Sequence, residues 1–399
     1  MARPALAWAA IATVIVHIQE VAAPSGRGIG SRSVADLVGI PSSFSIGRVG
    51  FDSGLYLRVA SVGYRYGEDL EAGFPGYAIA IRWLSRATGW DPMTAAVVFS
   101  AFAGLLVAVL VWRWAVLLGL DLRSRWVALL LVLLFPPAFL LFGVAYSDGL
   151  GLASVLAACV LAERRRWVGA GICGALATFS RPNALPIIVL LVGLALERSG
   201  ALAWVRPARG RPRHLVERLR WWAEGVAWRP RRLRLRHGGV LLSVAGIGAY
   251  SLWLWGHAGD PLYFGWLQTH VYGHSPPWHP WAWLKVPVWR PLPNAGEWVH
   301  EAASFALIVG ALASVPRVVR LLGAAYGVFV GLVVVQTWLG TYNVAPAGRY
   351  LLPCIPVLAV TWAPALAARR GLACAVLASA AITSAALAAG FAGAFPLNW

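Results

Sequence analysis

Apolar runs long enough to cross about 30 Å of hydrocarbon recur along the whole of this chain. No other feature limits the fold so strongly. A backbone in lipid must satisfy its own N–H and C=O groups, and runs of this length do so as helices. The chain therefore reads as an all-α polytopic membrane protein with about eleven transmembrane helices. The expected spans lie near 5–22, 94–118, 126–143, 148–163, 167–181, 184–198, 238–256, 300–316, 320–338, 350–367 and 371–391. The apolar share is 59%, above the roughly 45–50% of soluble domains. Residues 1–399 form a single integral-membrane domain on this reading.

Charge sets the topology. The formal net charge is +18, and Lys285 is the only lysine. Between Arg198 and Arg236 twelve arginines face only Glu217 and Glu224, so +10 of the total sits in one segment. A polybasic loop between membrane helices is a topology signal rather than a nucleic-acid footprint, and no nucleic-acid partner is expected. Arginines also cluster at Arg123/Arg125, Arg164-Arg165-Arg166, Arg317/Arg320 and Arg369-Arg370. Placing all five clusters in the cytoplasm puts the N-terminus inside and the C-terminus outside. Loops 23–93, 143–148, 181–184, 257–299 and 339–350 then face outward, in a multi-pass cell-membrane protein. The basic loop 198–237 mixes Arg with Trp204, Trp221, Trp222 and Trp228, a combination suited to the inner leaflet. The first helix is read as a retained anchor rather than a signal peptide, because it lacks a compact Leu-rich centre and carries His17 and Glu20 near its end. No internal repeat is visible. Cys159, Cys173, Cys354 and Cys374 lie in apolar segments without metal spacing and read as small hydrophobes.

The first outer loop carries the most chemistry. Phe51-Asp52-Ser53-Gly54-Leu55-Tyr56-Leu57 continues to Gly63-Tyr64, with Leu55, Val59 and Val62 at helical spacing. Alone, such an aspartate more often caps a loop helix than reacts. Phe74 to Gly89 reads as an interfacial helix with Arg82, Ser85 and Arg86 on one edge, its guanidinium groups toward lipid headgroups. Further outward stretches are Phe135-Pro136-Pro137 leading to Tyr146-Ser147-Asp148, then Arg181-Pro182, then Gly259-Asp260-Pro261-Leu262-Tyr263-Phe264 with Gln268 and His270, and Arg349-Tyr350-Leu351-Leu352-Pro353. Asp148 begins a span and is either a helix cap or a functional carboxylate. His257, His270, His274 and His279 lack a zinc constellation such as H-E-x-x-H, so no metal or other cofactor is assigned; a divalent metal has no support in the spacing. The run Trp278 to Trp289 suits either interface anchoring or stacking on sugar rings.

Taken in order, these blocks resemble the bacterial relatives of the PIG-V mannosyltransferases, integral-membrane glycosyltransferases of the GT-C class. The blocks are Asp52-Ser53-Gly54-x-Tyr56-Leu57-x-x-Ala60-x-x-Gly63-Tyr64, Phe74-Pro75-Gly76-Tyr77, Tyr146-Ser147-Asp148, Arg181-Pro182, Gly259-Asp260-Pro261-Leu262 and Arg349-Tyr350-x-Leu352-Pro353. They cover residues 51 to about 356. The chain departs from the pattern at Asp148, where the family more often has Glu, and at Phe51, where it usually has Trp. The resemblance implies transfer of a sugar, mannose by analogy, from a polyprenyl-phosphate donor to an extracytoplasmic glycolipid, polysaccharide or protein acceptor, with inversion. It implies Asp52 as the general base, with Arg349 first, then Arg181, Arg82 and Tyr350, at the donor phosphate and lipid. Ser53, Tyr56, Tyr146, Asp148, Asp260, Gln268 and His270 are the expected substrate contacts. The alternative class is a membrane transporter or lipid flippase, which the long structured first loop and the lack of repeats disfavour.

Overall fold

The computed structural model describes residues 2–22, 52–64, 70–204, 226–272, 295–340 and 346–392. The expectations for residues 23–51, most of the basic loop, His274, His279 and the Trp-rich run fall outside these. The described chain is almost wholly helical. Six helices are long and apolar enough to cross a membrane: Ala2–Ala22, Pro92–Leu117, Pro182–Ser199, Leu235–Ala258, His300–Leu322 and Arg370–Phe391. This is the architecture of a multi-pass membrane protein. Three further apolar helices, Trp167–Ser180, Ala324–Gly340 and Leu352–Ala367, are shorter.

In chain order the helices are α1 (Ala2–Ala22), α2 (Ser53–Val62), α3 (Pro75–Thr88), α4 (Pro92–Leu117), α5 (Leu122–Leu133), α6 (Asp148–Glu163), α7 (Trp167–Ser180) and α8 (Pro186–Ser199). After a two-stranded antiparallel ribbon, Leu202–Trp204 with Val226–Trp228, come α9 (Ala245–Ala258), α10 (Tyr263–His270), α11 (Ala295–Leu322), α12 (Ala324–Gly340), α13 (Ala347–Tyr350), α14 (Ile355–Ala367) and α15 (Arg370–Phe391). The local sequence accounts for many of the ends. Asp91 caps α4 by accepting from the Met93 and Thr94 amides, with Pro92 at the first helical position. Asp121 does the same for α5 through Ser124. The ribbon had no signal in the apolar periodicity.

Two expected spans differ in an instructive way. The run near 126–143 does not continue as one helix, because Pro136 and Pro137 lack amide hydrogens and α5 ends at Leu133. The chain then makes a 3₁₀ turn over Pro136–Leu141 and reverses at Gly143, whose φ of +92° favours glycine. From Pro137 to Ser147 every residue is buried. Irregular backbone at membrane depth is tolerated when protein covers it, and here α1, α4 and α15 do so: Trp8 of α1 packs on Phe142 at 6.1 Å, Gly104 of α4 lies against the Leu141 carbonyl, and Phe391 of α15 packs on Phe139 at 5.4 Å. Later, α11 runs on through Pro316, Arg317 and Arg320 to Leu322, so the turn expected between Pro316 and Arg320 falls at Gly323.

The bundle has two chemically distinct ends. At one, Arg198 Nη2 lies 3.0 Å from Glu163 Oε1, which also accepts from the Tyr326 hydroxyl at 2.8 Å. Trp167 packs on His237 at 5.5 Å, and Trp114 on Tyr326 at 5.6 Å. The arginines after α6, α8 and α14 gather at this end. Reversing along α6, α7 and α14 places Asp148, Arg181 and Arg349 at the other end, beneath α2 and α3.

Candidate functional site

Four charged side chains from four distant segments meet beneath α2. Asp52 stands at the N-terminus of α2, in helical backbone (φ −64°, ψ −12°), and its carboxylate does not cap the helix. Instead Arg349 Nη1 donates to Asp52 Oδ2 at 2.7 Å across 297 residues of sequence. The same guanidinium donates through Nε to Asp148 Oδ2 at 3.2 Å. Arg181 Nη1 closes on that Asp148 oxygen from the far side. The order is Asp52, Arg349, Asp148, Arg181: alternating sign and formally neutral.

Exposure falls steeply along this row. The Asp52 side chain is 46% exposed, whereas Arg349 is 7%, Asp148 1% and Arg181 6%. Burying charge is costly unless each ion is paired and hydrogen-bonded, and the alternation meets that demand. Asp148 Oδ1 alone is buried with no hydrogen-bond partner among the described residues. Burial opposes the charge on Arg349, but Asp148 and Asp52 outweigh it and hold its pKa above the ordinary guanidinium value. Arg349 is therefore a fixed cation.

Tyrosines pin the row. The Asp52 amide donates to the Tyr146 hydroxyl at 3.1 Å, and the Arg349 guanidinium sits 4.4 Å over the Tyr146 ring. Tyr146 thus holds both members of the outermost pair. Tyr56 OH and Ser147 Oγ are 2.8 Å apart, and Arg181 Nη1 also reaches Ser147 Oγ at 3.4 Å. Burial pushes the Tyr56 and Tyr146 phenols above their usual range, so they serve as neutral hydrogen-bonding groups. Arg181 is steadied by Asn183 Oδ1 at 2.9 Å, and the Pro182 carbonyl accepts from Gln336 on α12 at 2.6 Å. Gly76 explains how α3 reaches this assembly: a Cβ there would stand 2.6 Å from Ser180 Oγ, so only glycine lets α3 sit on the end of α7.

The structure brings together Asp52, Tyr56, Tyr146, Asp148, Arg181 and Arg349, with Ser53 buried at the start of α2 and Tyr350 lying 5.9 Å from the Arg349 guanidinium. It leaves others apart. Arg82 stands outside the row: Nε and Nη2 donate to the Ala60 and Val59 carbonyls at 2.7 and 2.8 Å, closing the end of α2. Asp260 Oδ1 accepts from the Leu262 amide at 2.8 Å, a turn ahead of α10. His270 is exposed, stacked on Trp266 at 4.6 Å, and Gln268 shares its helix without entering the row. Of the two roles open to Asp148, capping is excluded by geometry: Ser147 holds the cap position and Asp148 is an ion bridge.

Sequence reasoning passed over Asn183 and Glu71. The Glu71 side chain is fully buried, with Oε1 3.0 Å from His257 Nε2, while its backbone carbonyl accepts from the Tyr250 hydroxyl. Its position just ahead of Phe74-Pro75 was the available signal. Among the described residues no three His, Cys, Asp or Glu side chains gather as a metal-ligand set.

Chemically, Asp52 Oδ2 is held by a permanent cation while Oδ1 accepts no hydrogen bond among the described residues. A carboxylate so arranged is oriented and has one oxygen open to take a proton. Comparison of the chain with protein-family models, with curated proteins and with solved structures finds no match.

Proposed function

We propose that the chain is an integral-membrane glycosyltransferase of GT-C type that moves a sugar, mannose by resemblance, from a polyprenyl-phosphate donor to an extracytoplasmic acceptor. One observation carries this: Asp52 is the exposed terminus of an otherwise buried, charge-neutral row. It is the one carboxylate of the row able to meet a substrate. In the step proposed, Asp52 Oδ1 takes the proton of an acceptor hydroxyl. The acceptor oxygen so deprotonated attacks the anomeric carbon, the bond from carbon to phosphate oxygen breaks, and the lipid phosphate leaves with the electron pair. Attack opposite the leaving group inverts the anomeric centre. The phosphate is already a good leaving group, so the demand on the protein is base catalysis and placement.

Arg349 commits Nε and Nη1 to the two aspartates, which leaves Nη2 for a phosphate. Its main work on this reading is to aim Asp52. Arg349→Lys replaces the planar fork by a single ammonium that cannot bridge both carboxylates, and is expected to lower kcat by about ten- to a hundredfold. A rise in donor KM with kcat intact would return Arg349 to gripping the phosphate.

The proposed orientation puts the Asp52 end outside the cell and the arginine end in the cytoplasm. In a chain with Cys374 replaced by Ala, Ser199→Cys should resist a membrane-impermeant thiol reagent in intact cells and react after lysis. Labelling in intact cells would invert the topology.

The class is tested with the purified protein in lipid, given labelled polyprenyl-phosphate mannose and an envelope-lipid extract. Transferred sugar or released polyprenyl phosphate is expected. Intact donor carried between leaflets, without cleavage, would instead make the chain a flippase.

A further inference from the structure

A groove of about 300 Å³ lies apart from the charged row, between α2 and α3 on one side and α7 and α9 on the other. Tyr64, Ile79, Phe179, Ala249 and Trp253 line it, and Arg82 stands among them as its cation. None of its lining residues belongs to the Asp52 row. Ile79 is 40% exposed, and Trp83, one helical turn along α3, is 66% exposed. The groove therefore borders an apolar perimeter rather than the charged site.

Arg82 carries an unusual balance. Nε and Nη2 are taken by backbone carbonyls, which are neutral, and the guanidinium makes no ion pair among the described residues. Its charge is uncompensated there, and Nη1 has no hydrogen-bond partner there. A charge beside apolar side chains is costly unless a counter-ion arrives. An apolar channel ending at a half-satisfied guanidinium matches an acyl chain ending in a phosphate. The groove offers one cation, and its Tyr64 and Tyr250 hydroxyls already donate to the Gly73 and Glu71 carbonyls, so the chemistry it reads is a single anion rather than a rare headgroup. By mass action the abundant species fills such a site.

We propose that this groove is a binding site for an anionic membrane phospholipid, its acyl chain against Phe179 and Trp253 and its phosphate on Arg82. A lipid held there would brace the end of α2, whose carbonyls Arg82 of α3 holds. The site stands whether or not the chain transfers sugar, and its test reads binding alone.

The full-length protein in nanodiscs is photolabelled with phosphatidylglycerol bearing a diazirine on its acyl chain, and the labelled peptides are mapped. Labelling is expected on α3 and α9, displaced by unlabelled phosphatidylglycerol and not by phosphatidylcholine. Arg82→Gln should cut it by about tenfold, the worth of one charge-assisted hydrogen bond. Because that change also frees two α2 carbonyls, Ala249→Trp is the second variant. It fills the groove from an exposed position and should abolish labelling with the thermal unfolding midpoint unmoved. Labelling that survives Ala249→Trp overturns the site. Stronger displacement by polyprenyl phosphate than by phosphatidylglycerol also overturns it, and gives the groove to that lipid.

Discussion

Asp52→Asn is expected to slow sugar transfer by about two to four orders of magnitude while leaving donor binding and folding intact. The amide oxygen can still accept from Arg349 Nη1, so the side chain keeps its place. The nitrogen then occupies the position of Oδ1 and cannot take a proton at neutral pH. Because the Asp52 side chain is 46% exposed, removing its charge strands no deeply buried partner: Arg349 retains Asp148. Single-turnover measurements with saturating donor separate the chemical step from binding. Turnover within about threefold of the wild type would show that the proton goes elsewhere.

Asp148→Ala is expected to have the largest effect on stability, a loss of about 3–5 kcal/mol, because it leaves two buried guanidinium groups without their shared carboxylate. The chemistry of that position distinguishes an ion bridge from a helix cap. Asn serves well as a cap but brings no charge, so Asp148→Asn should lose most of what Asp148→Ala loses. Equilibrium unfolding in mixed micelles reads both. A double variant with Arg181→Leu should lose less than the sum of the two single changes, since each single change leaves an unpaired ion that the pair does not. A cost below about 1 kcal/mol for Asp148→Asn would mean that the buried bridge contributes nothing a cap could not.

The membrane architecture could be read from composition and apolar run length because lipid allows so few backbone solutions. The broken span was harder. Pro136-Pro137 marked where a helix stops, but only tertiary cover by α1, α4 and α15 decides that the following irregular segment stays within the bundle. The charged row divides in the same way. Asp52, Tyr146, Asp148, Arg181 and Arg349 could each be singled out by residue type and position in stretches expected to share one side of the membrane. Their exposure could not, since it depends on how segments up to 297 residues apart pack. That difference separates Asp52 from Asp148 chemically. Arg82 shows the limit most plainly: helical spacing placed it on the polar edge of α3, yet a long side chain can turn back to carbonyls of a neighbouring helix, and it does.

The alternation of charges also sets an order for biogenesis. Asp148 opens α6 and Arg181 follows α7, so the two flank one helical hairpin and can neutralise each other as that hairpin inserts. Arg349 reaches Asp148 only across 201 residues. Until the ribosome delivers it, Asp148 has one cation instead of two, and the outer carboxylate of α2 has no anchor. The row is completed only when α13 arrives, after α6 and α7 are in place. A nascent chain stopped short of α13 would hold its hairpin and its packing around α4 to α8 while the Asp52 carboxylate stayed unanchored, so completion of the row waits on a segment made long after the hairpin.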